Sequence, residues 1–222
     1  ANQIVLIDVI EALDTTQGEE IPVEVIEVAT KDAGLAQLTP DRELALLYST
    51  IVEFPTLNLL DLSTGQLTSY GLRNQIRSVA VAPDNQTVLV VHEPDPEATG
   101  DRPEDIFRRL DSITLFDIPT GYRRPVILEG SPVDILMAER EQAGESVVFV
   151  LLGDENQGVM RLELPSFRTD VIDLPREPRQ IGRVSRQVFV SQEAEQGRIT
   201  FFDIETGEQR TISGYELNAE ID

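Results

Sequence analysis

The chain has 222 residues, of which 41% are hydrophobic, enough to bury a core and to exclude wholesale disorder. Its formal charge of −22 and pI of about 4.3 disfavour nucleic acid and anionic membrane surfaces as partners and favour cations or basic proteins. With no cysteine there are no disulfides, thiolate metal sites or cysteine nucleophiles, and no apolar run approaches the ~18 residues of a membrane-spanning helix.

In chain order, strands are predicted at 4–7 and 23–28. Then come 34–39 and 44–50, around the turn Pro40-Asp41-Arg42, a strand leading into Asp61, and 66–70. The next group lies at 76–82 and 87–92, around Pro83-Asp84-Asn85, followed by 112–117 and 124–128. A third group occupies 133–138, 146–152, 159–163 and 169–172, and a fourth 180–184, 187–191, 198–203 and 209–212. Short strands at this spacing, with turn signals between them and no long helical pattern, predict an all-β repeat fold.

One phrase recurs within these groups: Leu59-Leu60-Asp61-Leu62-Ser63-Thr64-Gly65, Leu115-Phe116-Asp117-Ile118-Pro119-Thr120-Gly121 and Phe201-Phe202-Asp203-Ile204-Glu205-Thr206-Gly207. A degenerate copy, Arg161-Leu162-Glu163-Leu164-Pro165-Ser166-Phe167, lacks the glycine, and Val5-Leu6-Ile7-Asp8 opens the chain with a partial one. The acidic positions fall 40 to 56 residues apart, close to the length of a propeller blade. The apolar residues make a strand, the aspartate accepts backbone hydrogen bonds to start a turn, and glycine takes the left-handed conformation that reverses the chain. Asp61 with Gly65, Asp117 with Gly121, and Asp203 with Gly207 are therefore expected to be structural turn residues.

The run Ser78-Val79-Ala80-Val81-Ala82-Pro83-Asp84-Asn85-Gln86, followed by an apolar strand and then the Asp117 phrase, resembles a blade of the YVTN or WD-like β-propeller families. The Trp-Asp pair of WD repeats is absent, since the chain has no tryptophan. The resemblance implies four-stranded antiparallel blades over nearly the whole chain, about four and a half of them. It also implies that residues 1–222 form a single propeller region, the C-terminal part of a longer and possibly seven-bladed propeller. The first two strands would then take their missing partners from the rest of that protein; an atypical closed five-blade form is the alternative.

Propeller topology places the loops between second and third strands on one face, and here they are acidic. They carry Glu53; Glu93, Asp95, Glu97, Asp101, Glu104 and Asp105; Asp154 and Glu155; and Glu193 and Glu195. In the longest, 93–111, Asp101-Arg102-Pro103-Glu104-Asp105 is expected to cap a short helix ending at Leu110. Ile106, Phe107 and Leu110 would give that helix an apolar face. Glu93, Asp95, Glu97, Asp101, Ile106, Phe107 and Leu110 are the candidate partner-binding residues, either as a docking flap or as a lid packed on its own blade.

His92 is the single histidine, and no nucleophile elbow, Gly-x-Gly-x-x-Gly or P-loop pattern occurs. No catalytic residue and no cofactor is assigned, although the carboxylates admit a Ca²⁺ site. The leading reading is a non-enzymatic protein-interaction scaffold, expected in the cell envelope or secreted. A lactonase-like propeller hydrolase and a Ca²⁺-dependent adhesion module are the alternatives.

Overall fold

The computed structural model describes residues 2–7, 23–28, 33–51, 55–142, 144–153 and 157–214. Asp8, Glu53, Asp154 and Glu155 lie outside the described residues. Contacts divide the chain into two compact units, Ala1–Ile76 and Arg77–Asp222.

In the first unit, β1 (Asn2–Ile7) and β2 (Val23–Val28) pair antiparallel as a two-stranded sheet. Four further strands, β3 (Leu35–Leu38), β4 (Leu44–Tyr48), β5 (Thr56–Asp61) and β6 (Leu67–Gly71), form an antiparallel sheet in sequential order. Ala45, Leu47 and Leu60 are its buried core, covered by Ala33, Leu62 and Leu67.

The second unit repeats that sheet three times. Its blades are β7–β10 (Ile76–Val81, Thr87–His92, Ser112–Asp117, Arg123–Ile127), β11–β14 (Pro132–Glu139, Ser146–Leu152, Gly158–Leu164, Arg168–Asp173) and β15–β18 (Pro178–Val184, Gln187–Gln192, Arg198–Asp203, Gln209–Ser213). We number the four blades 1 to 4 in chain order. In blades 2 and 3 the second strands are packed on both faces: every residue of β8 and of β12 is buried. That is why these segments read as unbroken apolar runs rather than alternating ones. Blades 2 and 3 enclose one core, with Leu89, Val91, Leu115, Val148, Val150 and Leu162. Blades 3 and 4 enclose another around Phe149, Leu151, Val190 and Phe202.

The acidic phrase closes the third-to-fourth hairpin of each blade. Gly65, Gly121 and Gly207 have φ of 70°, 69° and 74°, and their N–H groups donate to the carbonyls of Asp61, Asp117 and Asp203 at 2.8–2.9 Å. The aspartate side chains accept from the backbone inside the turn: Asp61 from Ser63 and Thr64, Asp117 from Thr120, Asp203 from Glu205 and Thr206. In blade 3 the glycine position is Phe167, which itself takes φ of 57° and donates to the Glu163 carbonyl at 2.7 Å. Its ring packs on the core between blades 2 and 3, beneath the Arg124 guanidinium 5.4 Å from the ring centre.

Hydrogen bonds hold two of these carboxyls below the ordinary aspartate value. For Asp61 the Ser63 hydroxyl is the main cause, and for Asp203 the Thr206 backbone N–H. A carboxyl depressed in the folded state stabilises fully above its unfolded value of about 4, and that contribution is lost as pH falls through the lower folded value. Asp203→Ala is therefore expected to melt below the wild type at pH 7, with the gap narrowing toward pH 2. Thermal melts at both pH values check this, and an unchanged gap contradicts it.

Candidate interaction face

In the second unit, the loops between second and third strands emerge at the same end as the connections to the next blade. The Leu128 N–H donates to the Asp111 carbonyl at 2.9 Å, Gly153 to Ser131 at 2.9 Å, Leu174 to Gln157 at 3.1 Å and Glu193 to Glu177 at 2.8 Å. These bonds fix the roots of the loops at 93–111, 153–157 and 193–197 against that end.

The insertion 93–111 is tied down from within. Helix α1 (Pro103–Arg109) begins after Arg102, which has extended backbone and offers no side-chain cap. The run Asp101–Asp105 supplies no side-chain cap; Asp105 accepts from Arg102 Nε at 3.0 Å, which lowers its carboxyl pKa. Arg108 pairs with Asp95 at 2.7 Å, and the Asp95 N–H donates to the Arg108 carbonyl at 2.7 Å. Arg109 donates to the Gly100 carbonyl at 2.9 Å. Gly100 has φ of 131°, and a Cβ there would overlap the Asp105 carboxylate, so glycine is required twice over.

The three apolar residues of the expected anchor separate. Phe107 is buried, edge-on to the His92 ring at 5.5 Å, and holds the helix to its own blade. Ile106 and Leu110 are exposed. The acidic candidates separate likewise: Asp95 is spent on Arg108, and Glu93 faces Arg77 across 4.0 Å, whereas Glu97 and Asp101 are exposed. Among the described residues no three carboxylate or imidazole groups come together as an ion site.

His92 is fully buried, its Nε2 2.7 Å from the Thr114 hydroxyl. The same two positions in blade 4 are Gln192 and Thr200, also 2.7 Å apart, and Thr200 continues to Thr211 at 2.8 Å. Blade 1 has Asn58 there, bonded to Ser69 at 2.6 Å, and blade 3 has the apolar pair Leu152 and Met160. These buried ties lie outside the recurring turn phrase. Their signal is a polar residue three positions before the acidic turn residue, at 58, 114 and 200.

No protein-family model matches the sequence, and no curated protein matches it. Solved structures match its fold. The dihydro-heme d1 dehydrogenase NirN superposes on 89% of this chain and 41% of its own at 11% identity, TM-score 0.55. The tricorn protease does so on 87% and 23% at 10% identity, TM-score 0.55. A functionally unknown protein from Desulfotomaculum acetoxidans DSM 771 does so on 89% and 60% at 16% identity, TM-score 0.54. The chain thus spans less than two thirds of each of these proteins. The fold is all-β and built of β-propeller blades. Identities this low bear on fold and not on activity.

Proposed function

We propose that the chain is a non-enzymatic interaction scaffold, a set of YVTN-like blades within a longer propeller, whose acidic loops receive a basic protein. The observation that carries this reading is the pairing within the 93–111 insertion. Its segment holds seven carboxylates and three arginines. All three arginines are engaged inside the insertion, by Asp105, Asp95 and the Gly100 carbonyl. What the platform offers outward is therefore Glu97 and Asp101 beside the exposed side chains of Ile106 and Leu110. Exposed carboxylates steer a basic partner and set the on-rate, while apolar contact supplies the slow dissociation. In the same reading the β1–β2 sheet is completed by strands from elsewhere in the full protein.

The test is affinity capture with the wild type and with two variants, Glu97→Lys/Asp101→Lys and Ile106→Asp/Leu110→Asp. The wild type is expected to retain basic proteins at low salt and release them as ionic strength shortens the Debye length below ~8 Å. Both variants are expected to lose them. Capture of the same proteins by both variants, at the same salt, overturns the reading.

A further inference from the structure

Three blades of the second unit allow a comparison position by position. The residue just past the second strand is Glu93 in blade 2, Gly153 in blade 3 and Glu193 in blade 4. Facing it across the inner hairpin stand Arg77, Val133 and Arg179. Val133 and Arg179 are the extra residues of matching bulges, between Pro132 and Asp134 and between Pro178 and Gln180. Blades 2 and 4 fill the position with an ion pair, Arg77 with Glu93 and Arg179 with Glu193. Blade 3 alone of the three places valine over glycine.

Gly153 does not have the positive φ that demands glycine. It is required instead by its neighbour, because a Cβ there would lie 2.7 Å from Val133 Cγ2. Beside Val133, a cleft of about 240 Å³ lies between the inner strands β7 and β11. Ala80 and Val91 form one wall, Val133 and Ile135 the other, with Arg77 and Asp134 among the lining residues. Val133 remains 52% exposed. The cleft is smaller than the roughly 300–1,000 Å³ of sites for cofactors and drug-sized ligands, so its size suits one side chain. Its rim is acidic in balance: Arg77 already faces Glu93 at 4.0 Å, which leaves the exposed carboxylate of Asp134.

We propose that this cleft seats one leucine-sized aliphatic side chain of an extended, basic peptide segment. The inference rests on the acidic-face reading and adds to it the anchor point and the residue that fills it. Specificity then belongs to Val133, which stands where the flanking blades have an arginine and for which Gly153 leaves room.

The test uses short labelled peptides of lysine, arginine and glycine with either leucine or alanine at the centre, titrated by fluorescence anisotropy. Wild type is expected to bind the leucine peptide about tenfold tighter than the alanine peptide. Val133→Arg/Gly153→Glu restores the ion pair of the neighbouring blades and fills the cleft with a combination the repeat already accommodates. This variant is expected to bind both peptides at the alanine level. Ser78→Trp, at an exposed inner-strand position lining the same cleft, is expected to do the same without touching the pair. Equal binding of the two peptides by wild type, or a leucine preference that survives both fillings, overturns the proposal. If the preference is absent while Glu97→Lys/Asp101→Lys still weakens both peptides, the cleft falls and the acidic face stands. If the preference is present and charge reversal weakens neither peptide, the cleft stands and the acidic face falls.

Discussion

Replacing Phe202 by alanine is expected to cost about 3–5 kcal/mol, the range for emptying a buried phenylalanine site. Phe202 is fully buried on β17 and sits in the core that joins blades 3 and 4, its ring centre 6.0 Å from that of Phe149. It lies directly before the turn aspartate Asp203, so the rigid clamp around that residue limits how far the backbone can relax into the cavity. For a chain of this length each kcal/mol corresponds to roughly 2–4 °C, so a fall in Tm of roughly 6–20 °C is expected. Phe202→Leu should lose much less. Calorimetry on the two variants checks this, and equal losses would mean that the site is not a packed junction between blades.

Arg161→Ala is expected to lose a similar amount, about 3–5 kcal/mol, through charge rather than volume. Arg161 is 5% exposed on β13, pairs with Glu163 at 2.6 Å and lies 3.8 Å from Asp170. Its guanidinium carbon would sit 3.3 Å from a Cβ on Gly207, so the turn of blade 4 rests on this arginine. Beside it, Arg140 lies 3.2 Å from Glu145 and 3.7 Å from Glu205, and the Glu141 N–H donates to Glu205 at 2.8 Å. Removing Arg161 leaves the largely buried Glu163 with only the more distant guanidinium of Arg140, 4.0 Å away. The double variant Arg161→Met/Glu163→Gln removes both charges and keeps much of the volume, so it should recover a large share of the loss. Chemical denaturation of the single and double variants measures the coupling. A double variant no better than Arg161→Ala contradicts the charge account.

The parts of the fold readable from sequence are those made by local chemistry. An apolar run followed by Asp-x-x-x-Gly defines a third strand and its turn within a few residues, so β9 and β17 fall at their expected limits. Outer strands blur by a residue or two, as with β10 at Arg123–Ile127 against 124–128, because exposed positions carry little pattern. The insertion was legible as a short helix but not as to what faces outward. Ile106 and Phe107 are adjacent, about 100° apart around a helix, so both cannot take the same face. Which of them packs depends on His92, 14 and 15 residues earlier at the end of strand β8. The Arg161 network was invisible for the same reason, since Glu205 and Gly207 lie over forty residues downstream. The left-handed Phe167 was also unforeseen, because an aromatic residue has no intrinsic preference for that conformation.

Phe167 changes how blade 3 is assembled. Blades 2 and 4 reverse the chain at a glycine whose turn is clamped by an aspartate of the same hairpin. Blade 3 reverses at a strained side chain whose compensation, the core with blade 2 and the Arg124 guanidinium, comes from outside the hairpin. In an array where each repeat touches only the next, the outer edge of blade 3 therefore draws part of its stability from blade 2.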